Sequence, residues 1–134
     1  MSALLFEKDG PVVTLTINRP ETRNPLGEEG DGDLFAEVCA RINADREIRC
    51  AILTGAGSAF SAGGNVKAMR ERSGSFAGAG VHIRERYRNG IHRIVRSLWG
   101  VEVPMIAAVN GPASGLGNDV ACLADMRIAA DTAI

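Results

Sequence analysis

The chain has 134 residues, 46% of them apolar and 23% charged, a balance that supports a buried core and excludes a disordered tail. Its net charge of −1 argues against a general nucleic-acid binder, and no apolar run approaches the roughly 18–20 residues that span a bilayer. The start, MSALLFEKDG, lacks the basic opening of a signal peptide, and the three scattered cysteines, Cys39, Cys50 and Cys122, show neither an even count nor CxxC spacing, so a reducing compartment, the cytoplasm, is expected, without disulfides or zinc.

In chain order, Leu4–Glu7 and Val12–Asn18 predict a hairpin around Asp9-Gly10. The second strand, VVTLTIN, alternates apolar and hydroxyl-bearing residues and stops at Arg19-Pro20. Residues 20–32 hold two prolines and three glycines and predict a connection or a frayed helix start. Leu34, Val38 and Ile42 stand at helical spacing, predicting a helix over about 33–45. Arg49–Thr54 reads as a short buried strand and Val66–Met69 as a helical turn. Arg72–Gly80, small and weakly patterned, predicts a flexible loop. Ile83, Tyr87, Ile91, Ile94, Val95 and Leu98 mark one face of a single helix over about 81–98. Met105–Val109 predicts a strand, Gly115–Leu123 a helix and Met126–Ala129 a last strand. This alternation predicts an α/β fold with parallel pairing through helical crossovers.

Charge is unevenly placed. Residues 67–96 carry 8 basic and 2 acidic groups, whereas the flanking stretches are acidic, and 13 of the 15 cations are Arg. Two readings stay open for this basic stretch: a solvated helix face, or attraction for a phosphate-bearing small molecule.

Two glycine-rich loops each follow a strand and open a helix: SAFSAGGN at 58–65, and NGPASGLGND at 110–119. Glycine there permits close backbone approach, and a helix N-terminus directs unpaired N–H groups at negative charge. Neither loop fits a dinucleotide fingerprint, no GK[ST] follows for a P-loop, and Ser58, Ser61 and Ser114 lack a G-x-S-x-G elbow. His82 and His92 have no acid or cysteine arranged beside them in the sequence.

Together, LTGAGSAFSAGGNVKAM and PMIAAVNGPASGLGNDVACLADMRIAA resemble the two signature stretches of the crotonase superfamily, which includes enoyl-CoA hydratases and isomerases. VVTLTINRPETRNPL resembles that family's first strand and N-R-P-x-x-x-N turn. The resemblance runs from about residue 3 to the end. It implies a crotonase-like ββα repeat, a spiral fold, of which residues 1–134 are the N-terminal part, incomplete at the C-terminus.

The resemblance further implies an acyl-CoA thioester substrate whose enolate is held by two backbone N–H groups. By motif position these are the amides of Ala62 and Leu116, with Gly63, Gly64, Asn65 and Gly115 shaping the substrate loops. A preorganised donor of this kind is worth roughly 2.7–4 kcal/mol. The Leu116 side chain itself reads equally as core.

In the hydratases a carboxylate follows at G-x-G-x-E. Here the position is Asp119, one methylene shorter, which reads either as the general acid/base or as a first-turn acid favouring the helix dipole. A second carboxylate is expected beyond residue 134. Asn65 stands where many members have Asp and reads as loop-fixing. Arg23 falls near the position that meets the CoA moiety, or is a surface Arg. No separate cofactor is expected, coenzyme A being part of the substrate, and no metal, nucleic acid or membrane. A homo-trimer or hexamer is implied.

Enoyl-CoA hydration leads. An isomerase or another lyase on the same enolate platform, and a noncatalytic CoA-binding or assembly subunit, remain alternatives.

Overall fold

The computed structural model describes residues 2–133. Strand β1 (Leu4–Asp9) pairs antiparallel with β2 (Val12–Ile17), and Asp9 opposite Val12 leaves Gly10-Pro11 as the two-residue turn. The hairpin is therefore as expected, with β1 running two residues further than the sequence suggested.

From β2 onward the sheet is parallel. β3 (Cys50–Gly55) joins β2, β4 (Met105–Val109) joins β3, and β5 (Met126–Ala129) joins β4, so the strand order follows the chain. The alternation in the sequence becomes one buried face. Val13, Leu15 and Ile17 of β2, and Ala51 and Leu53 of β3, point into the core, while the intervening residues are half-buried.

Helix α1 (Asp31–Ala44) crosses between β2 and β3 and sends Phe35, Val38, Cys39 and Ile42 into that core. Short helix α2 (Val66–Glu71), then α3 (Gly80–Asn89) and α4 (Ile91–Trp99), lie between β3 and β4, and α4 contributes Ile94 and Leu98. Helix α5 (Leu116–Leu123) leads into β5 and buries Val120 and Ala121.

The single helix expected over 81–98 is two, broken at Gly90 (φ −101°, ψ −99°). Helix α1 packs against this point. Gly32 presses so close that a methyl group there would stand 2.0 Å from the Asn89 carbonyl oxygen and 3.1 Å from the Gly90 Cα. The helix breaks where two glycines meet.

The segment 72–80 is not featureless either. A 3-10 turn spans Gly74–Phe76, the Phe76 ring stands edge-on to Tyr87 at 6.1 Å, and the Arg86 guanidinium donates to the Ala77 carbonyl. Much of the basic stretch is likewise spent within the molecule. Arg93 pairs with Asp33, Arg88 with Glu85 at 3.4 Å, and Arg96 donates to the Arg88 carbonyl at 2.9 Å. The solvated-face reading fits these exposed side chains.

Past their carboxyl ends, β2, β3 and β4 each give a turn and then a short extended stretch. Those stretches also lie side by side, through bridges Pro25–Gly63 and Ser61–Ala113. Each unit is thus strand, bridge and helix, the ββα repeat that the resemblance implied, and the second layer brings three loops together.

Candidate active site

The loop after β2 is held by a buried ion pair. Arg19 grips Asp31 in two places, Nη1 to Oδ2 at 2.9 Å and Nη2 to Oδ1 at 2.6 Å. Asp31, 2% exposed, also accepts the N–H groups of Gly27 and Glu28 at 3.0 Å each. A buried carboxylate is tolerable only with such a full set of partners. Hydrogen bonding to Asp31 holds the Arg19 guanidinium above its usual range.

Asn24 sits in left-handed backbone (φ 56°) and is wholly buried. Its Oδ1 accepts the Arg19 N–H at 2.8 Å, and its Nδ2 donates to the Ala56 and Ala59 carbonyls at 2.8 Å each. Asn110, after β4, reaches the same loop from the other side: its Oδ1 accepts the Gly55 N–H at 3.1 Å and its Nδ2 donates to the Gly57 carbonyl at 3.0 Å. Two asparagine side chains therefore clamp the first glycine-rich loop. In the sequence, Asn24 is visible only as the end of N-R-P-x-x-x-N and Asn110 only as a turn residue. Ser61, also wholly buried, had no signal beyond its place in the loop.

These clamps decide which amides are free. Ala62 donates its N–H to the Arg23 carbonyl at 2.8 Å, and Gly63 donates to Ser61 Oγ at 3.1 Å. The expectation that Ala62 supplies a donor to a ligand is therefore corrected: its hydrogen is already taken by the neighbouring loop. Among the described residues, no acceptor meets the N–H of Gly64 or that of Leu116, and the flanking Asn65 and Gly115 N–H groups have none either.

The Gly64 and Leu116 amides stand on touching loops. Gly63 has φ 77°, and a methyl group on it would lie 2.3 Å from the Ser114 carbonyl oxygen and 3.0 Å from the Leu116 nitrogen. Only glycine satisfies both the angle and the contact. Gly115 (φ 51°) precedes α5, so the Leu116 N–H is the first donor of that helix, at its positive end. The Leu116 side chain packs against the core, as its bland reading required.

Asp119 lies one turn along α5, exposed, with no side-chain partner among the described residues. Spacing i, i+3 puts it on the same side of the helix as Leu116.

The cleft beside Gly64 has a volume of about 710 Å³, and its walls include Pro25, Glu28, Ala62, Asn65 and Lys67. Asn65 caps α2, its Oδ1 accepting the Ala68 N–H at 3.0 Å, while its Nδ2 donates to Glu28 at 3.1 Å. The loop-fixing role expected of it is what the geometry shows. Arg23 takes left-handed backbone (φ 63°), supplies its carbonyl to Ala62 and exposes its side chain. Lys67 is exposed at the cleft as well.

A spiral of ββα units with unpartnered amides on adjoining glycine loops narrows the family sharply, and residues 7–134 match the family model described as enoyl-CoA hydratase/isomerase. The chain belongs to that family. It is 37% identical to 1,2-epoxyphenylacetyl-CoA isomerase of Escherichia coli, over 99% of this chain and 49% of that protein. It is 35% identical to short-chain-enoyl-CoA hydratase of Clostridium acetobutylicum, over 99% and 48%.

Among solved structures, an enoyl-CoA hydratase/carnithine racemase from Magnetospirillum magneticum matches with a TM-score of 0.86 at 29% identity, over 99% of this chain and 48% of that one. An enoyl-CoA hydratase/isomerase from Marinobacter aquaeolei gives 0.82 at 34%, over 98% and 50%. The fold expected from the crotonase resemblance is thus the fold observed. The chain spans about half the length of the curated relatives it matches. Among the described residues, no helix is long and apolar enough to cross a membrane.

Proposed function

We propose that this chain carries the thioester-binding half of an enoyl-CoA hydratase, which adds water across the double bond of a 2-enoyl-CoA. The observation that carries the reading is the pair of unpartnered N–H groups of Gly64 and Leu116 on adjoining loops. Two preorganised donors that reach the same oxygen stabilise an oxyanion that forms there, at no reorganisation cost during reaction, and we assign that role to these two amides. The thioester oxygen is the atom that gains charge when hydroxide adds at the β-carbon and an enolate forms. The α-carbon then takes a proton.

Asp119, on the same side of α5 as Leu116, serves as general acid/base in this scheme. The water is shared with a second carboxylate that we assign to the half of the relatives' length this chain does not span. Lys67 and Arg23, exposed at or near the cleft, attract the CoA phosphates. Three free thiols and a CoA-borne substrate suit the cytoplasm, and we assign a homo-oligomer, a trimer or a pair of trimers.

The test is turnover by the full-length protein, followed as loss of the conjugated enoyl thioester absorbance. Leu116→Pro deletes the proposed donor and should abolish turnover, with circular dichroism confirming an intact fold, whereas Leu116→Ala keeps the amide and should lose far less. Product analysis separates hydration from double-bond migration. A full-length protein that binds acyl-CoA without converting it would leave the noncatalytic subunit as the better reading.

A further inference from the structure

Ser61 touches all three loops of the site and belongs to none of the proposed chemistry. Its side chain is wholly buried, a position a hydroxyl keeps only when bonded. The hydroxyl donates to the Asn24 carbonyl at 2.7 Å and accepts the Gly63 N–H at 3.1 Å. The Ser61 carbonyl accepts the Ser114 N–H at 3.0 Å. Helix α5 rests on the same residue: a methyl group on Gly117 would lie 2.4 Å from the Ser61 carbonyl oxygen, 2.8 Å from its Cβ and 2.9 Å from its Oγ. One side chain is therefore bonded to the residue before Gly64 and packed against the residue after Leu116.

We propose that Ser61 is the positioning residue that sets the spacing and aim of the Gly64 and Leu116 amides. The proposal rests on reading those amides as the thioester-binding pair. Its physical basis is the softness of glycine. Gly63 has no side chain to hold its dihedrals, and Ser61 Oγ is the only acceptor its N–H has among the described residues. Without that oxygen, a dry N–H must turn to find another partner. Rotation about the Gly63 backbone then swings the next peptide, which carries the Gly64 N–H, about its one remaining tether, the Gly63 carbonyl that accepts the Leu26 N–H at 2.9 Å. The Leu116 amide, set by α5 lying against Ser61, stays where it is, so the two donors no longer converge.

The test compares Ser61→Ala, Ser61→Cys and a control, Ile42→Val, in the full-length protein. Ile42 lies in the α1 core and touches none of the three loops' hydrogen bonds. For Ser61→Ala we expect kcat to fall roughly 10–100-fold, with KM within about threefold, because a displaced donor weakens the transition state more than the ground state. Ser61→Cys keeps a weaker donor and acceptor and should fall less, and it carries the comparison if the alanine variant does not fold. Ile42→Val should lower thermal stability and leave kcat unchanged.

The second readout is the carbonyl resonance of bound acyl-CoA labelled with carbon-13 at the thioester carbon. Its shift from the free value should shrink from wild type to Cys to Ala. Unchanged kcat and an unchanged carbonyl shift in both serine variants would overturn the role of Ser61 and leave the thioester site standing. A wild-type protein that leaves the carbonyl resonance at its free value would overturn both.

Discussion

In the reaction proposed for this chain, Asp119, three residues beyond Leu116 on α5, is the group assigned to the proton transfer. Asp119→Asn keeps the shape and removes the titrating group. In the full-length protein it should cost about 10²–10⁴ in kcat while acyl-CoA binding, measured by calorimetry, stays close to wild type. Full activity would reduce Asp119 to a favourable first-turn charge. The shorter side chain is part of the same question, since Asp119→Glu should then restore or exceed the wild-type rate. Cys39 offers a trial of the core instead. Burial pushes its thiol from the ordinary 9.0 up to about 12. The folded chain therefore keeps the proton over a range in which the unfolded chain loses it. The thiol contributes fully to stability below about pH 9 and its contribution is lost as the pH rises from there towards 12. Urea midpoints between pH 8 and 11 should fall more steeply for wild type than for Cys39→Ala, and iodoacetamide should reach Cys39 only as the chain unfolds. The choice of donor amide was the residue-level point that the sequence could not decide. A-G-G-N offers four adjacent N–H groups, and the Arg23 carbonyl and Ser61 Oγ, partners that no spacing reveals, remove the first two.

Among the elements, the contact between α1 and the α3–α4 break is the tightest backbone approach. A methyl group at Gly32 would meet the Asn89 carbonyl oxygen at 2.0 Å, and backbone has no rotamer to move away. Gly32→Ala should therefore destabilise the fold by about 3 kcal/mol, the upper end of the usual overpacking cost, seen as a lower urea midpoint with an unchanged slope. A loss below about 0.5 kcal/mol would mean that α1 shifts freely over α3 and α4. The same contact explains what was legible in this part of the chain. Ile94 and Leu98 are buried at the spacing that announced them, because periodicity records which face a helix buries. The interruption falls at Asn89-Gly90, a local stop dipeptide that the apolar spacing on either side of it masks. Strands β2 to β4 were legible for the converse reason, since VVTLTI, CAILTG and MIAAV are set by their own burial and β-branched or small apolar side chains. The bridges at Pro25, Ser61, Gly63 and Ala113 are too short to leave a periodicity, which hid the second layer until the loops were seen side by side.

At the scale of the whole molecule, β5 is paired on one side only, by β4, and all four of its residues are exposed, Met126 at 53% and Ile128 at 68%. An apolar, half-paired strand invites another chain to add to it. The 134-residue chain on its own should scatter light as a species heavier than 14.1 kDa at micromolar concentration. Met126→Lys combined with Ile128→Lys should return it to monomer. A clean monomer without the substitutions would show that the edge is already well solvated. The order of the strands has a further meaning at the ribosome. β1 and β2 close their hairpin within the first 17 residues, and β3, β4 and β5 each dock beside the strand made just before. No newcomer has to be threaded between two strands that are already paired. During synthesis the sheet therefore grows like a hem being stitched from one end, with β1 as its fixed border and the newest strand as its only advancing edge.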